Sequence, residues 1–294
     1  MDRIRLIATD MDGTLLGRAL DRIPGANAEA LRAAAEAGAA LVLATGRQPD
    51  DAGFFALDAG LRVRVVGLNG CAVAEEPLGT VARTCLIRPE TARKVRRVIE
   101  ECALSFGLFG LHDVAVSEPP EDPRAAMLVF GTFFDRPGGR TRFWTEGEMV
   151  ERLLVRTAKF VVDAHEHPDR LRTLKARLAA EVPEAQVTSS WADTIEIMPP
   201  EVSKGEALAD LAARLGIPMA QVMALGDNDN DVSMLAAAGC AVAVANATPA
   251  AKAAAHWIAP SNLEDGVATA VRALALGDEA ALASLLPGGR TLGN

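Results

Sequence analysis

Short apolar runs alternate with a helix-like stretch in the first third of the chain. The runs at residues 5–9, 40–44 and 63–68 each have the length of one buried strand and end at polar or glycine residues. Residues 27–37 are Ala-rich and predict a helix that ends at Gly38. This alternation predicts an α/β fold in which a parallel, doubly wound, Rossmann-like sheet carries helices on both faces.

The same alternation returns near the end of the chain. Apolar runs at residues 221–225, 241–245 and 256–258 predict strands, and residues 231–238 predict a helix that ends at Gly239. Ligands of open parallel sheets bind beyond the carboxyl ends of the strands. We therefore expect the polar residues that follow these runs to line one cleft.

The middle of the chain has a different pattern. Helices are predicted at residues 90–103 and 169–182, with a Gly-rich segment between them at residues 136–140. Strands are predicted between and after them, at residues 126–134, 158–163 and 194–198. We therefore predict an α+β cap domain at residues 88–198, inserted into a core that consists of residues 1–87 and 199–294.

Composition excludes several classes of function. Half of the 294 residues are hydrophobic and the formal net charge is −9, so we expect a packed protein that binds neither nucleic acid nor an anionic membrane. The four cysteines form no C-x-x-C pair, which disfavours a zinc or disulfide framework. The apolar runs are short or interrupted by charges, so we expect no signal peptide or membrane span and predict a cytoplasmic location.

Two acidic residues follow the first predicted strand. Asp10 and Asp12, in the string Asp-Met-Asp-Gly-Thr, lie two residues apart on a turn. One carboxylate in such a turn can bind a hard cation and attack an electrophile while the other carries a proton. A turn that only ends a strand is the alternative, since Asp-Gly is a common turn pair.

A second acidic cluster follows the strand predicted at residues 221–225. Asp227, Asn230 and Asp231 are spaced so that one helical turn could direct all three toward one place. A calcium loop of the EF-hand type is excluded, because the sixth and twelfth positions counted from Asp227 are Val232 and Ala238 rather than Gly and Glu. The cluster instead suits Mg²⁺, which prefers oxygen ligands and takes one or two carboxylates.

Two further segments suit an anion. Ser203 and Glu206 have capping-box spacing, which places Lys204 in the first turn of a helix, where backbone N–H groups and the ammonium could meet a phosphate. A solvated surface lysine is the alternative. Thr45-Gly46-Arg47 follows a predicted strand and offers a hydroxyl and unhindered N–H groups, with a plain turn as the alternative.

These elements, in this order, resemble the four motifs of the haloacid dehalogenase (HAD) superfamily of phosphohydrolases. Asp10-x-Asp12-Gly-Thr is similar to the first motif, Thr45 to the second, Lys204 to the third, and Gly226-Asp227-x-x-Asn230-Asp231 to the fourth. The insertion after the third predicted core strand is similar to the cap of the Cof-like, type IIB branch. The resemblance spans nearly the whole core, whereas in the cap it depends on position and size.

The resemblance implies a role for each matching residue. Asp10 would attack phosphorus to give an aspartyl-phosphate, and Asp12 would protonate the leaving alcohol and then activate water. Asp10, the backbone carbonyl of Asp12, and Asp227 would hold Mg²⁺. Groups that bind the phosphoryl group or the substrate would come from Met11, Thr45, Gly46, Arg47, Lys204 and Asn230. Behind them, Asp231 would orient Lys204 or a metal-bound water, and Asn69 would either support the substrate or only form a turn.

The resemblance leaves the function open at two points. A phosphomutase of the same superfamily would use the same aspartyl-phosphate, and a regulator could bind Mg²⁺ and a phosphorylated ligand without catalysis. The expected partner is a small phosphorylated metabolite, most often a sugar phosphate in this family, with nucleotides and phosphorylated cofactors as further options. The sequence does not decide between a monomer and a homodimer.

Overall fold

A computed structural model describes residues 3–18, 22–117, 142–144, 147–163, 167–191 and 194–291. The strand predicted at residues 126–134 and the Gly-rich segment at residues 136–140 lie outside these ranges. The strands are, in chain order, β1 Leu6–Thr9, β2 Ala40–Ala44, β3 Arg64–Gly67, β4 Ala72–Ala74, β5 Val81–Thr84, β6 Gly107–Phe109, β7 Asp113–Val116, β8 Arg142–Trp144, β9 Lys159–Asp163, β10 Gln186–Trp191, β11 Thr194–Met198, β12 Val222–Gly226, β13 Cys240–Val244, β14 Trp257–Ala259 and β15 Leu286–Pro287.

The helices flank these strands. They are α1 Gly25–Glu36, α2 Pro49–Asp58, α3 Pro89–Glu101, α4 Gly147–Leu154, α5 Pro168–Glu181, α6 Lys204–Arg214, α7 Val232–Ala237, α8 Pro249–Ala254, α9 Gly266–Ala275 and α10 Glu279–Leu282. Helix α1 ends just before Gly38, whose φ of +96° suits a residue without a side chain. The helices predicted near residues 27, 90, 169 and 231 are present within one or two residues of the predicted bounds.

Nine strands of the described residues form one sheet in the order β15-β14-β13-β12-β1-β2-β3-β4-β5. The six strands from β14 to β3 are parallel. Two apolar clusters cover the sheet, one formed with α1, α2 and α9 and the other with α6, α7 and α8. Strands covered on both faces are almost wholly apolar, which confirms the predicted doubly wound α/β core.

The edges of this sheet differ from the parallel prediction. Strands β4 and β5 add to β3 in antiparallel order, and β15 pairs antiparallel with β14. Strands β4 and β5 follow short connections, which favour antiparallel pairing because a parallel pair needs a long crossover. Strand β15 has only two residues and follows β14 after helices α9 and α10. These edge strands have three, four and two residues, so they lack the longer apolar runs by which the core strands were predicted.

A second sheet has the order β10-β11-β9-β6-β7-β8 and is antiparallel except between β7 and β8. Helices α3, α4 and α5 pack on one of its faces. The other face packs against the first sheet through Phe109, Val161 and Met198, which contact Leu68 and Ala72. The chain enters this unit after β5 and leaves it after β11, and we propose residues 88 and 198 as its boundaries.

A membrane-spanning helix requires a certain length and apolarity. Within the ranges given above, none of the helices is long and apolar enough to cross a bilayer.

Candidate active site

Three neighbouring parallel strands deliver the predicted site residues to one edge of the core sheet. Asp10 follows β1, Thr45 follows β2 and Asp227 follows β12. The backbone N–H of Asp10 donates to the carbonyl of Leu225 at 2.9 Å, so the parallel pairing continues up to the carboxylate. The structure therefore places these residues at the same edge of the sheet, beyond the carboxyl ends of neighbouring strands.

The acidic turn is held open by a glycine. Met11–Leu15 forms a single wide turn, in which Asp12 and Gly13 leave helical geometry and the N–H of Leu16 bonds to the Met11 carbonyl at 2.8 Å. Gly13 has a φ of +88°, and a Cβ on it would lie 2.5 Å from Oδ2 of Asp227. Only glycine combines this backbone with such a close approach to a carboxylate.

Lys204 is a buried part of the site, so the surface-lysine alternative is wrong. Ser203 caps α6, since its Oγ accepts from the N–H of Glu206 at 3.1 Å, and the helix begins at Lys204. The Lys204 ammonium donates to Oδ1 of Asp10 and to Oδ1 of Asp231, both at 2.6 Å, and the residue is only 1% exposed. One cation therefore compensates two buried carboxylates.

The fourth segment is arranged differently from the single helical turn expected. The turn covers only Asp229–Asp231, and Asp227 precedes it. Oδ2 of Asp231 accepts from the N–H groups of Asp227 at 2.9 Å and Asn228 at 3.0 Å. Thr14 then donates to Oδ1 of Asp227 at 2.6 Å, so the first and fourth segments are bonded directly.

Burial and like charge dominate the electrostatics. Burial raises the pKa of Asp10 well above its usual range, against the lowering effect of Lys204, and Asp231 and Asp227 raise it further. Burial, followed by the charge of Asp231, raises the pKa of Asp227 to about 7. Burial opposes the charge of Lys204, but Asp10 and Asp231 together raise its pKa above the usual value. The site has a surplus of negative charge that a cation would neutralise.

The donor set fits a hard divalent cation. Carboxylate oxygens of Asp10, Asp227 and Asp231 all lie within 4.8 Å of one another. Asp231 is committed to Lys204 and to two backbone N–H groups, which leaves Asp10 and Asp227 as the better candidates for direct ligands. Two carboxylates with further oxygen donors suit Mg²⁺, which takes one or two carboxylates from a protein.

Arg47 faces the acidic turn. Its guanidinium donates to both oxygens of Asp12, with 2.6 Å from Nε to Oδ2, and to Oδ2 of Asp51 at 3.0 Å. It also stacks 4.9 Å from the ring centroid of Phe55. Its backbone N–H donates to Oγ1 of Thr45 at 3.1 Å. Arg47 thus orients the Asp12 carboxylate, and a contact with substrate stays a prediction.

Asn69 lies in a turn, as one of its two predicted roles requires, and its contact with substrate stays a prediction. Its φ of +54° places it in the tight turn Leu68–Gly70. Its side chain nevertheless faces the site, because Oδ1 accepts from Nδ2 of Asn230 at 3.1 Å. Met11, by contrast, directs its side chain into the hydrophobic core and is fully buried there. Any contact of Met11 with a substrate would be through its backbone.

Two residues at this site were missed by sequence reasoning. Lys159 of β9 and Glu196 of β11 lie 2.8 Å apart, and both contact the segments named above. A signal was present, since each is a single charged residue next to apolar strand positions, in Lys-Phe-Val-Val and Ile-Glu-Ile. Charged side chains are rarely buried unless they are paired, so a charge in a buried strand indicates a partner.

Comparisons with known proteins give concordant results. The family model for haloacid dehalogenase-like hydrolases matches residues 7–271. A 5-amino-6-(5-phospho-D-ribitylamino)uracil phosphatase of Bacillus subtilis is 30% identical over 270 residues, which are 92% of this chain and 95% of that protein. The pyridoxal phosphate phosphatase of Escherichia coli is 30% identical over 266 residues, which are 90% of this chain and 96% of that protein.

Solved structures show the same fold. The structure of a haloacid dehalogenase-like hydrolase from B. subtilis superposes with a TM-score of 0.81 at 24% identity, covering 92% of this chain and all of that one. One from Bacteroides thetaiotaomicron superposes with a TM-score of 0.78, also at 24% identity, covering 92% of this chain and 99% of that one. The inserted second sheet is therefore part of the shared architecture.

Proposed function

We propose that this chain, which belongs to the haloacid dehalogenase-like hydrolase family, is a Mg²⁺-dependent phosphatase that hydrolyses a small phosphate monoester through an aspartyl-phosphate. One observation carries the proposal. The Asp10 carboxylate, at the end of the central strand β1, is held by the buried Lys204 ammonium at 2.6 Å and lies beside a second acid, Asp12, on the same turn.

Asp10 is the nucleophile in this proposal. Lys204 holds its Oδ1, so a carboxylate oxygen has a fixed position for in-line attack on phosphorus. The new bond joins that oxygen to phosphorus, and the bond between phosphorus and the ester oxygen breaks. In the second step water attacks the same phosphorus, the bond to Asp10 breaks, and inorganic phosphate leaves.

Asp12 carries the protons in both steps. In the first step it gives a proton to the leaving alkoxide, and in the second it removes one from the attacking water. Arg47 supports this role, since its two hydrogen bonds fix the plane of the Asp12 carboxylate. A bidentate arginine contact gives geometric definition as well as attraction.

Four residues bind the transferred phosphoryl group in this proposal. Thr45 and Gly46 provide a hydroxyl and backbone groups, Lys204 provides a positive charge, and Asn230 provides an amide. Phosphoryl transfer depends chiefly on positioning and on stabilisation of charge. Asp231 acts behind Lys204, because it fixes the ammonium at 2.6 Å.

Asp10, the backbone carbonyl of Asp12, and Asp227 would hold the Mg²⁺ ion. When bound, the ion neutralises phosphoryl oxygens and so reduces the repulsion between an anionic nucleophile and an anionic ester. The proposal is supported by the three carboxylates within 4.8 Å of one another and by the raised pKa of Asp10 and Asp227 in the absence of a cation.

The substrate is proposed to be a small phosphorylated metabolite, with sugar phosphates first and phosphorylated cofactors or nucleotides next. The two relatives named above act, according to their names, on a phosphoribityl compound and on pyridoxal phosphate. In this proposal such ligands bind between the core and the cap at residues 88–198, and the cap determines specificity. The cytoplasmic location expected from composition is part of the same proposal.

A phosphate-release assay tests the proposal. Wild type, with and without Mg²⁺, is assayed on an aryl phosphate and on a panel of phosphorylated metabolites without any sugar bisphosphate activator. We expect Mg²⁺-dependent release of phosphate, reduced in Asp10→Asn by on the order of five orders of magnitude, as when other enzymes lose a nucleophile. Asp229→Asn, an exposed acid in the neighbouring turn, is the matched control and should retain activity.

The outcomes separate the competing functions. Transfer of the phosphoryl group within a substrate, with no release of phosphate, would indicate a phosphomutase. Binding of phosphate without turnover of any ester would indicate a regulator. Undiminished turnover in Asp10→Asn would contradict the assignment of the nucleophile.

A further inference from the structure

The cap inserts one buried ion pair into the core site. Lys159 of β9 and Glu196 of β11 are 3% and 4% exposed, and their charged groups lie 2.8 Å apart. Their strands are antiparallel neighbours in the second sheet. The Lys159 ammonium also lies 5.0 Å from the ring centroid of Phe109, on the face that packs against the core.

Stability alone does not account for this pair. Two charges lose much hydration when they are buried, and well-packed apolar residues of similar volume often stabilise a protein equally well or better. The neighbouring residues of this face, such as Phe109 and Val161, are apolar and provide such packing already. The contacts of the pair with the core therefore indicate its role.

Lys159 fixes one peptide of the phosphate-binding turn. Its Nζ donates to the carbonyl of Gly46 at 2.8 Å. The N–H at the other end of that same peptide belongs to Arg47 and donates to Oγ1 of Thr45 at 3.1 Å. The peptide plane is thus held at both ends. Because Oγ1 of Thr45 accepts the bond from Arg47, the Thr45 hydroxyl proton can point toward a phosphoryl oxygen.

Glu196 fixes a second group through one intermediate residue. Its Oε2 accepts from Nδ2 of Asn69 at 2.6 Å. This bond sets the orientation of the Asn69 amide, whose Oδ1 then accepts from Nδ2 of Asn230 at 3.1 Å. One proton of the Asn230 amide is thereby engaged, and the direction of the other is set. The two members of the pair thus contact different parts of one proposed phosphate-binding cradle, formed by Thr45, Gly46 and Asn230.

The surroundings of Gly46 show that the pair lies close to the cradle. A Cβ added to Gly46 would lie 3.3 Å from Oδ1 of Asn69 and 3.6 Å from Nζ of Lys159. The ammonium is therefore adjacent to the glycine that lines the turn, while Glu196 balances its charge.

We propose that Lys159 and Glu196 are positioning residues for the phosphoryl group, supplied by the cap to the core. They set the Gly46 peptide, the Thr45 hydroxyl and the Asn230 amide, so the phosphate-binding cradle is complete only when the cap sheet packs on the core. The inference rests on the proposed function in one respect, namely that the ligand of the cradle is a phosphoryl group.

A double substitution separates positioning from folding. In Lys159→Met/Glu196→Met both charges are replaced by apolar side chains of similar length, so the thermal midpoint should change little or rise. We expect the inhibition constant of inorganic phosphate, measured with Mg²⁺ present, and KM to rise together by about tenfold or more, as expected when charged hydrogen bonds are lost. The value of kcat should fall less than kcat/KM.

The matched control is Lys94→Met, which removes an exposed lysine from helix α3 of the same cap and should change neither constant. If the double variant does not fold, Glu196→Gln keeps the volume and removes only the charge of Glu196. It should raise the inhibition constant of phosphate and KM by a smaller factor. Phosphate affinity and KM equal to wild type in a folded variant would overturn the proposal.

Hydrogen–deuterium exchange supplies a readout that does not require turnover. Amides of residues 44–48 and 68–70 should exchange faster in the double variant than in wild type, and exchange in Lys94→Met should equal that in wild type. If wild type neither binds phosphate nor hydrolyses an ester, the proposed function fails, while faster exchange would still support positioning of this turn. Equal exchange in both segments would contradict the positioning itself.

Discussion

The two sheets contribute to the candidate site in contrasting ways. The core contributes groups at the ends of strands, where turns expose both side chains and backbone N–H groups, as at Asp10 and Thr45. The cap contributes side chains from within the strands themselves, Lys159 and Glu196, which lie on a face that is otherwise apolar. In our proposal the core carries the reacting groups, and the cap orients some of the groups around them.

This contrast shows how charge is tolerated in each region. In the core, Asp10 and Asp231 share Lys204, and a surplus of negative charge remains for a cation. In the cap the positive and negative charges are balanced one to one at 2.8 Å. An unbalanced cluster is expected where a metal ion and an anionic substrate bind, and a balanced pair is expected where geometry is set.

The largest effect after loss of the nucleophile should come from the other core acid. Asp12→Asn retains the shape and one of the two acceptors for Arg47 but removes the proton carrier. We expect kcat to fall by about two to four orders of magnitude, with less loss for a substrate whose leaving group needs no proton. Stopped-flow and steady-state assays on an alkyl and an aryl phosphate measure this. Equal losses on both substrates would contradict the role of Asp12 as the acid.

The next effect concerns the backbone of the same turn. Gly13→Ala adds a Cβ that would lie 2.5 Å from Oδ2 of Asp227, at a φ of +88°. Displacement of that carboxylate should raise the Mg²⁺ concentration for half-maximal activity by about ten- to a hundredfold, as for other groups that support a metal ligand. Gly25→Ala is the control, because a Cβ there meets no atom within 4 Å.

A smaller effect is expected on the pH dependence of stability, which should depend on Asp227 of the core. The pKa of Asp227 is raised to about 7, above the value of about 3.9 for an unfolded chain. Between these values the folded state binds more protons, so without metal the contribution of this group to stability is lost as the pH rises toward 7. Mg²⁺ binds the deprotonated form, so it should raise the melting temperature more near pH 8 than near pH 6.

Differential scanning fluorimetry at both pH values tests this dependence. Asp227→Asn should reduce the difference between the two Mg²⁺-induced shifts, because the titrating group is absent. A shift of equal size at both pH values in wild type would contradict a metal site that includes Asp227.

The smallest effect is expected on the outer surface of the cap. Arg177 forms ion pairs with Glu101 and Glu181 that are open to solvent, and such pairs are screened and contribute little. Arg177→Ala should leave KM and the phosphate inhibition constant unchanged. A rise in KM comparable with that of the Lys159/Glu196 double variant would show that the cap responds as a whole rather than through its inner face.

The core could be predicted from the sequence because its signals are local. The motif residues follow apolar runs directly, so strand ends and site residues are read from the same few positions, as at Asp10, Thr45 and Asp227. Alternation of strand and helix then determines the parallel order of the central strands. The family prediction made from these motifs, a Cof-like HAD phosphatase, is confirmed by the family match and the named relatives.

In the cap, helices α3 and α5 and strands β9 and β11 were predicted from the sequence. The other strands of the cap and the side-chain partners could not be predicted in the same way. Strands β6 and β7 have only three and four residues, too few for a periodic pattern. The bond of Lys159 to Gly46 joins residues 113 positions apart, and it depends on the packing of two sheets. The full burial of Met11 and the contact of Arg47 with Asp12 likewise follow from tertiary packing and from no local pattern.

The central claim is that Asp10 receives the phosphoryl group, and rapid quenching tests it most directly. Wild type is mixed with Mg²⁺ and excess substrate, quenched in acid within one turnover, and digested for peptide mass mapping. We expect the peptide that contains Asp10 to gain the mass of one phosphoryl group. Asp12→Asn should accumulate more of this phosphorylated peptide if the second step is slowed. Phosphate release with no phosphorylated Asp10 in either protein would contradict the account.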